Sequence, residues 1–363
     1  MSGLHFHPLT VREVRADTDD AVVVTLDVPA PLGADFRFEP GQYLTVRHTL
    51  DGQEIRRSYS ICAAAGQALR VGVRKVPGGV FSTWLHDAVK AGDTLEVMPP
   101  QGRFGAAVAG LQGSASPVHV LAVAGGSGIT PILSIVRTLL EQAPQARCTL
   151  LYGNRSAAST MFKEELEDLK NRYLTRLALH PVFSREQVDS PLYAGRLDRE
   201  RIGLFLRTLV DPRGVDHAFV CGPHALNDEA EAALLAAGVP AARIHVERFG
   251  IPPELQASGD AHAHRDGDVE GARVTVVRDG LTREIVFGER DPSILDAAAR
   301  AGMDVPYSCK SGVCATCRAK VLEGQVRMDR NFALEPADVA AGFVLTCQAH
   351  PLTERVVVSF DER

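Results

Sequence analysis

Four cysteines crowd the last 55 residues of the chain, as Cys309-x4-Cys314-x2-Cys317 followed by Cys347 after 29 more residues. No other feature restricts the fold as strongly. Three thiols on one tight loop can surround one side of a metal centre, and the fourth must arrive on a segment folded back against that loop. This is the spacing that holds a [2Fe-2S] cluster. A structural zinc site or buried free thiols are the alternatives, although zinc favours paired short spacings on both sides. Gly312 and the small residues Ser311, Ala315 and Thr316 let backbone N–H groups approach sulfur, which stabilises the reduced, more negative state. Cys309, Cys314, Cys317 and Cys347 are therefore the candidate metal ligands. The total is seven, an odd number, and Cys62, Cys148 and Cys221 are scattered. A disulfide framework is not expected.

At about 150 residues per domain, 363 residues predict two to three domains. The net charge of -6 has the wrong sign for a strong nucleic-acid binder. No apolar run approaches the ~18 residues that cross a bilayer. The start, MSGLHFHPLTVREV, lacks a basic segment followed by an apolar one, so a cytoplasmic location is expected.

Residues 1–110 read as a small antiparallel β-barrel. Val22–Leu26, Tyr43–Val46, Leu69–Val73 and Leu95–Met98 are short apolar or β-branched runs, and Asp51-Gly52 marks a tight hairpin. From 111 to 250 strands and helices alternate, which is the signature of a doubly wound α/β domain with a parallel sheet. Strands are expected near 118–123, 148–152, 177–183, 218–221 and 244–246, and helices near 161–170 and 223–237. Residues 251–270 carry Pro, Gly, Ser and acids without apolar periodicity and read as a linker, with His262 and His264 solvated. In 271–363, Asp279-Gly280 signals a second hairpin. Asp291-Pro292 is the expected N-cap and first residue of a short helix.

A one-electron centre joined to a nucleotide-type α/β domain needs a group that splits a hydride's electron pair, and a flavin does this. Gly78-Gly79-Val80-Phe81-Ser82 opens a helix, so Gly79, Phe81 and Ser82 offer an anion site suited to a flavin pyrophosphate. That favours FAD over FMN. Arg74, on the preceding strand, either faces the same phosphates or is an exposed charge. The loop Gly125-Gly126-Ser127-Gly128-Ile129-Thr130-Pro131 follows the first parallel strand, the context of a dinucleotide loop. Gly126, Gly128 and Thr130 are its candidate cofactor contacts, with Pro131 at the first helical position. The second strand ends in Asn154-Arg155-Ser156 rather than in an acid, and the third in Ser184-Arg185. Arg155, Ser184 and Arg185 favour a 2′-phosphate, hence NADPH.

The stretch PYSCKSGVCATCRAKV resembles the cluster loop of plant-type ferredoxins, which implies an α+β, β-grasp [2Fe-2S] domain. Arg57-Ser58-Tyr59-Ser60 and GGSGITP resemble the corresponding motifs of the ferredoxin-NADP reductase superfamily. By that resemblance Arg57 neutralises a flavin phosphate, Tyr59 packs on the isoalloxazine and Ser60 hydrogen-bonds near N5. Cys221-Gly222-Pro223 resembles the segment placed near the nicotinamide, which makes Cys221 and Gly222 site residues. Glu247 and Phe249 stand where the family has an acid and an aromatic close to the flavin. Without the resemblance, Cys221 reads as a buried core thiol and Glu247 as a strand end.

The order of barrel, nucleotide domain and ferredoxin is similar to the reductase components of bacterial multicomponent oxygenases. The resemblance implies hydride transfer from NADPH C4 to flavin N5, then single electrons through the cluster. It also implies an oxygenase acceptor of the di-iron class, active in aerobic phenylacetate breakdown. A Rieske-type ring or steroid hydroxylase is the alternative acceptor, and a [2Fe-2S] redox sensor the alternative of another class. The linker is expected to let the ferredoxin domain swing between flavin and partner.

Overall fold

The computed structural model describes residues 4–111, 113, 116–252, 262 and 264–362. They form two compact units, one of Phe6–Ile55 and Tyr59–Phe249 and one built mainly on Gly250–Arg363.

The first unit begins with six antiparallel strands: β1 His7–Thr18, β2 Ala21–Asp27, β3 Tyr43–Leu50, β4 Gln53–Ser60, β5 Arg70–Arg74 and β6 Thr94–Val97. Their order is β4-β3-β6-β1-β2-β5. An Ile61–Val71 bridge and a bond from Cys62 N–H to the Arg70 carbonyl (3.0 Å) join the two edges, so the sheet closes as a barrel. Asp51 and Gly52 both have positive φ, 50° and 76°, as a type I′ hairpin requires. Strand β1, the longest, went unread in the sequence because its Arg, Glu and Asp residues interrupt any apolar run.

Strand β2 shows why barrel and nucleotide domain are one unit. Alternate residues of a strand face opposite sides. Val22, Val24 and Leu26 fill the barrel core, while Ala21 and Val23 belong to the core of the neighbouring α/β domain. A strand buried on both faces reads as the continuous apolar run seen in the sequence.

Five parallel strands follow: β7 Val118–Gly125, β8 Ala146–Asn154, β9 Leu177–Phe183, β10 His217–Gly222 and β11 Ile244–Arg248. Their order is β11-β10-β7-β8-β9. The helix Ile129–Gln142 packs Ile132, Ile135, Val136, Leu139 and Leu140 on one face of the sheet. Helices Arg199–Thr208 and His224–Ala236 cover the other face through Ile202, Phe205, Ala230 and Leu234. The chain moves outward from β7 to β9 and then returns to the far side of β7. The crevice at the C-terminal ends of β7 and β10 is therefore the topological switch point where such sheets bind ligands. Pro131 sits third in its helix rather than first. It still lies within the opening turn, where a missing N–H costs no hydrogen bond.

In the second unit β12 Arg273–Arg278, β13 Leu281–Val286, β14 Arg318–Glu323, β16 Phe343–Leu345 and β18 Arg355–Ser359 make a mixed sheet ordered β13-β12-β18-β14-β16. Only the β12–β18 pair is parallel. Strands β15 Val326–Met328 and β17 Ala349–Pro351 pair separately. With the helix Ile294–Arg300 packed on it, this is the β-grasp arrangement.

The N-cap of that helix is Ser293, not Asp291. The Ser293 hydroxyl accepts the Asp296 N–H (3.2 Å), while Asp291 accepts from Gly288 N–H (2.8 Å) and Arg300 (2.6 Å). Asp291 closes the loop before the helix and Pro292 lies outside it. Residues 253–261 and 263 of the expected linker lie outside the described residues. His262 and His264 are not solvated: their side chains are 29% and 25% exposed, because both pack against the second unit's own groups.

Replacing Ser293 by Ala removes a hydroxyl cap worth about 1 kcal/mol. The urea midpoint for bleaching of the cluster chromophore should fall accordingly, whereas Asp291→Asn, which keeps the Gly288 bond, should lower it less.

Candidate redox sites

The turn after β7 is shaped by close approach. Gly126 has φ 52°, and a Cβ on Gly128 would lie 2.1 Å from the Cys221 carbonyl oxygen. Only glycine lets this loop rest against the end of β10. Thr130 Oγ1 donates to the Ser127 carbonyl (3.0 Å) and the Tyr152 hydroxyl to the Gly126 carbonyl (3.0 Å), which fixes the loop from within. Thr130 thereby serves as an internal strut. The first turn of Ile129–Gln142 retains N–H groups without intrahelical acceptors, a setting that favours phosphate.

Beside this loop the structure assembles three of the expected catalytic residues. Cys221 and Glu247 are register partners on β10 and β11. Ser60, at the end of β4 and 6% exposed, stands close to the Glu247 carboxyl. Burial pushes that carboxyl from an ordinary 4.5 to about 8, opposed by the Ser60 hydroxyl. Glu247 Oε2 is sealed from solvent and has no hydrogen-bond partner among the described residues. Cys221 is fully buried; burial, reinforced by the Glu247 charge, raises its thiol well above the ordinary range. It is a neutral S–H group rather than a thiolate. Gly222 ends β10, where a Cβ would meet Leu226 at 2.6 Å. Phe249 lies just past β11 and is 46% exposed. Asn227, absent from the sequence reading, donates its amide to the Glu247 carbonyl (3.0 Å). Its signal was hidden inside a helix that otherwise reads as alanine-rich packing.

The second anion position is the helix Val80–Asp87, capped by extended Gly79 after Gly78 at φ 74°. The Ser82 hydroxyl accepts from Val76 N–H (3.1 Å) and donates to the Gly79 carbonyl (3.2 Å), so it builds the turn. The donors left for a phosphate are backbone N–H groups of the first turn. Phe81 is 2% exposed and packs near Tyr59, with ring centroids 6.2 Å apart. Arg57, on the same strand as Tyr59, is exposed and donates to the carbonyl of Arg56 (2.7 Å). Arg74 departs from the expectation: its Nε binds Asp20 (3.1 Å), its Nη2 binds the Ser159 carbonyl (2.5 Å), and its Nη1 lies 3.2 Å from where a Gly126 Cβ would stand. It thus lies beside the nucleotide loop.

At the adenosine end, Ser184 N–H donates to the Asn154 carbonyl (2.9 Å) and Arg185 N–H to the Arg155 carbonyl (2.8 Å). These bonds bring Arg155, Ser184 and Arg185 to one rim. Two acids were missed there. Asp20, in the β1–β2 turn, also holds Arg155 (3.3 Å), and Glu186 accepts the Ala157 N–H (2.6 Å). Asp20 is 135 residues from Arg155 in the chain. No local pattern links them.

In the second unit the four thiols interact: Cys309 with Cys314, Cys317 with Cys347, and Cys317 with all three others. The Cys314 thiol's hydrogen bond, opposed by burial and aided by N–H groups of Ser311 and Val313, holds Cys309 down to about 5. Lys310, Gly312 and Ala315 have φ of 52°, 80° and 55°. Such a loop turns its N–H groups inward, and Ser311 N–H reaches Cys309 Sγ (3.3 Å). Both Thr346 N–H (3.2 Å) and Thr346 Oγ1 (2.9 Å) donate to the Cys317 carbonyl, which brings Cys347 to the loop. Gln348, also missed, donates to Cys347 Sγ (3.5 Å). Four convergent sulfurs with N–H donors fit a [2Fe-2S] cluster.

Comparison with known proteins identifies three domains along the chain. An oxidoreductase FAD-binding domain matches residues 8–105, an oxidoreductase NAD-binding domain 122–232, and a 2Fe-2S iron-sulfur cluster binding domain 276–352. The chain is 48% identical over 361 residues to one of the subunits of the 1,2-phenylacetyl-CoA epoxidase of Escherichia coli, covering 99% of this chain and 98% of that protein. It is 34% identical over 362 residues to the ferredoxin reductase component of 3-ketosteroid-9-alpha-monooxygenase of Rhodococcus rhodochrous, covering 97% and 96%. Among solved structures, phthalate dioxygenase reductase shares the fold with a TM-score of 0.57 at 24% identity, covering 98% of both chains.

Between pH 4.5 and about 8 the unfolded chain gives up the Glu247 proton that the native protein keeps. Stability contributed by this group should therefore fall as pH rises through that window and level off above it. Glu247→Gln should lose less stability than the parent between about pH 5 and pH 8 in urea unfolding. Parallel curves for the two proteins would refute the buried carboxyl.

Proposed function

Because the chain belongs to the ferredoxin-NADP reductase-type family of oxygenase reductases with a C-terminal [2Fe-2S] domain, we propose that it takes hydride from NADPH and serves the di-iron oxygenase of a phenylacetyl-CoA epoxidase. It is an NAD(P)H-dependent oxidoreductase whose electrons pass through FAD and the cluster to an oxygenase. The convergence of Ser60, Cys221 and Glu247 beside the Gly126–Gly128 turn carries the catalytic part of the reading. The 48% identity along the whole chain supports the choice of partner over a steroid hydroxylase, whose reductase is 34% identical.

Bound FAD supplies the conversion of a two-electron hydride into single electrons. The chain's residues supply position. The partnerless Glu247 Oε2 accepts a hydrogen bond from the nicotinamide carboxamide, and Ser60 holds the Glu247 carboxyl in place. The small Cys221 side chain and Gly222 leave room for the ring at the end of β10, and Phe249 covers the site until nicotinamide enters. Arg57, Tyr59 and the N–H groups of Gly79, Phe81 and Ser82 hold the flavin and its pyrophosphate. Gly126, Gly128 and Arg74 lie along the NADPH phosphates; Arg155, Ser184 and Arg185 take the 2′-phosphate. Nothing in the site requires phenylacetyl-CoA itself to bind. Domain limits near 110 and 270 and a cytoplasmic location complete the proposal; among the described residues no helix is long and apolar enough to cross a membrane.

Anaerobic NADPH should bleach both flavin and cluster absorbance, and addition of the phenylacetyl-CoA oxygenase subunits should give NADPH-dependent product. Coupling to a Rieske partner instead would overturn the choice of acceptor, and no bleaching at all would leave a redox sensor. Removing both arginines, as Arg155→Ala with Arg185→Ala, should raise the KM for NADPH roughly tenfold or more, since a charge-assisted bond is worth about 1.5–3 kcal/mol. The KM for NADH should stay unchanged.

A further inference from the structure

The two histidines that precede the second unit's sheet stand in an unassigned cluster. His262, Asp329 and His350 each offer a ligand atom, and these atoms lie within 4.8 Å of one another. Asp329 Oδ2 is 2.8 Å from His350 Nε2 and 3.6 Å from His262 Nδ1. In a tetrahedral zinc site with bonds of about 2.0–2.1 Å, ligand atoms stand roughly 3.3 Å apart. The observed pair of distances brackets that edge.

The surroundings match what a bound cation needs. Asp329 Oδ1 is taken by Arg327 and by Arg265 (3.4 Å), which leaves Oδ2 to the imidazoles. The other nitrogen of His350, Nδ1, stands 3.6 Å from Asp268 Oδ2. Asp268 is fixed by Arg327 (2.5 Å) and by the Arg265 N–H (2.9 Å). A carboxylate behind the distal nitrogen of a ligating histidine is the usual outer support of a metal site. His350 is fully buried.

A polar network without a metal leaves part of this arrangement unexplained. His262 Nδ1, the atom that faces Asp329 Oδ2, is buried with no hydrogen-bond partner. The His264 ring lies 5.7 Å from that of His350.

We propose that His262, Asp329 and His350 bind one divalent transition-metal ion of the zinc class, with water as fourth ligand. The ion ties His262, upstream of β12, to the β15–β17 pair. Zinc has no redox chemistry, so the ion takes no part in electron transfer through the cluster.

The test uses the holoprotein carrying flavin and cluster. After chelator treatment it is equilibrated with Zn2+, desalted, and its metals are counted by mass spectrometry. The expected result is about one zinc per chain with the cluster iron unchanged. In His262→Gln, a partly exposed position where the fold should survive, zinc retention should drop at least about tenfold. Iron content and the visible spectrum report that the fold is intact. Absence of zinc in the parent, equal zinc in His262→Gln, or zinc gained only as iron is lost would each overturn the site. The outcome is independent of which oxygenase the protein serves.

Discussion

The approach of the Ser60 hydroxyl to the buried Glu247 carboxyl depends on two sheets of different kinds being held as one body. Ser60 closes a barrel strand, and Glu247 belongs to the edge strand of a parallel sheet. Their meeting rests on β2, whose opposite faces contribute to both cores, so neither domain can shift without exposing Ala21 and Val23 or Val22 and Val24. Ser134, on the first helix of the parallel sheet, strengthens this by donating to the barrel's Ala63 carbonyl (2.7 Å). Reactive groups held by rigid packing lose little freedom on binding, which is how positioning lowers a barrier. The Gly128 contact with Cys221 adds the third point. It sets the nucleotide loop against the same strand end that carries the thiol.

Charge at the nucleotide rim follows a different logic. Asp20 already pairs with both Arg74 and Arg155. A phosphate arriving there exchanges one anion for another and gains less than it would from free arginines. In return the guanidinium groups are oriented before it binds, which reduces the ordering cost. On the proposed assignment of a 2′-phosphate to this rim, discrimination between the two nicotinamide cofactors would be a difference between a phosphate and a carboxylate as partners of the same cations. Glu186, on the adjacent turn, accepts the Ala157 N–H and adds a second negative charge to this region.

Which features were legible in the sequence follows from the range of the interactions. The barrel, the parallel sheet and the cluster loop announce themselves by local signals: Asp51-Gly52 and Asp279-Gly280 for hairpins, a run buried on both faces for β2, close cysteine spacing for the metal loop. Glu247, Cys221 and Ser60 were placed by resemblance, and their convergence could not be derived from spacing, since register across β10 and β11 is a tertiary fact. Asp20, Asn227, Glu186 and Gln348 were missed for the same reason. For Arg74 and Ser82 the sequence does not say which acceptor wins the side chain. Ser82 is consumed by its own turn, and Arg74 is drawn to Asp20 and the Ser159 carbonyl. The helix cap was misassigned because both Asp291 and Ser293 are good caps, and the Arg300 pairing decides between them.

The second unit shows how a fourth ligand is delivered from afar. Lys310 and Ala315 occupy left-handed backbone, which a side chain tolerates at a cost when the surroundings over-determine it. Here the surroundings are Thr346 and Gln348: the first bonds the Cys317 carbonyl, and the second bonds both the Lys310 carbonyl (3.1 Å) and Cys347 Sγ. Three residues beyond Cys347 stands His350, whose ring is locked between Asp329 and Asp268, and Asp329 N–H in turn bonds the Gln348 carbonyl (2.9 Å). The buried Asp–His–Asp–Arg group therefore anchors the strand that presents Cys347. A loop of three cysteines can organise itself through its own backbone. The fourth depends on a polar core that has no sulfur in it, and disturbing that core should be felt first in the Cys347 side of the cluster.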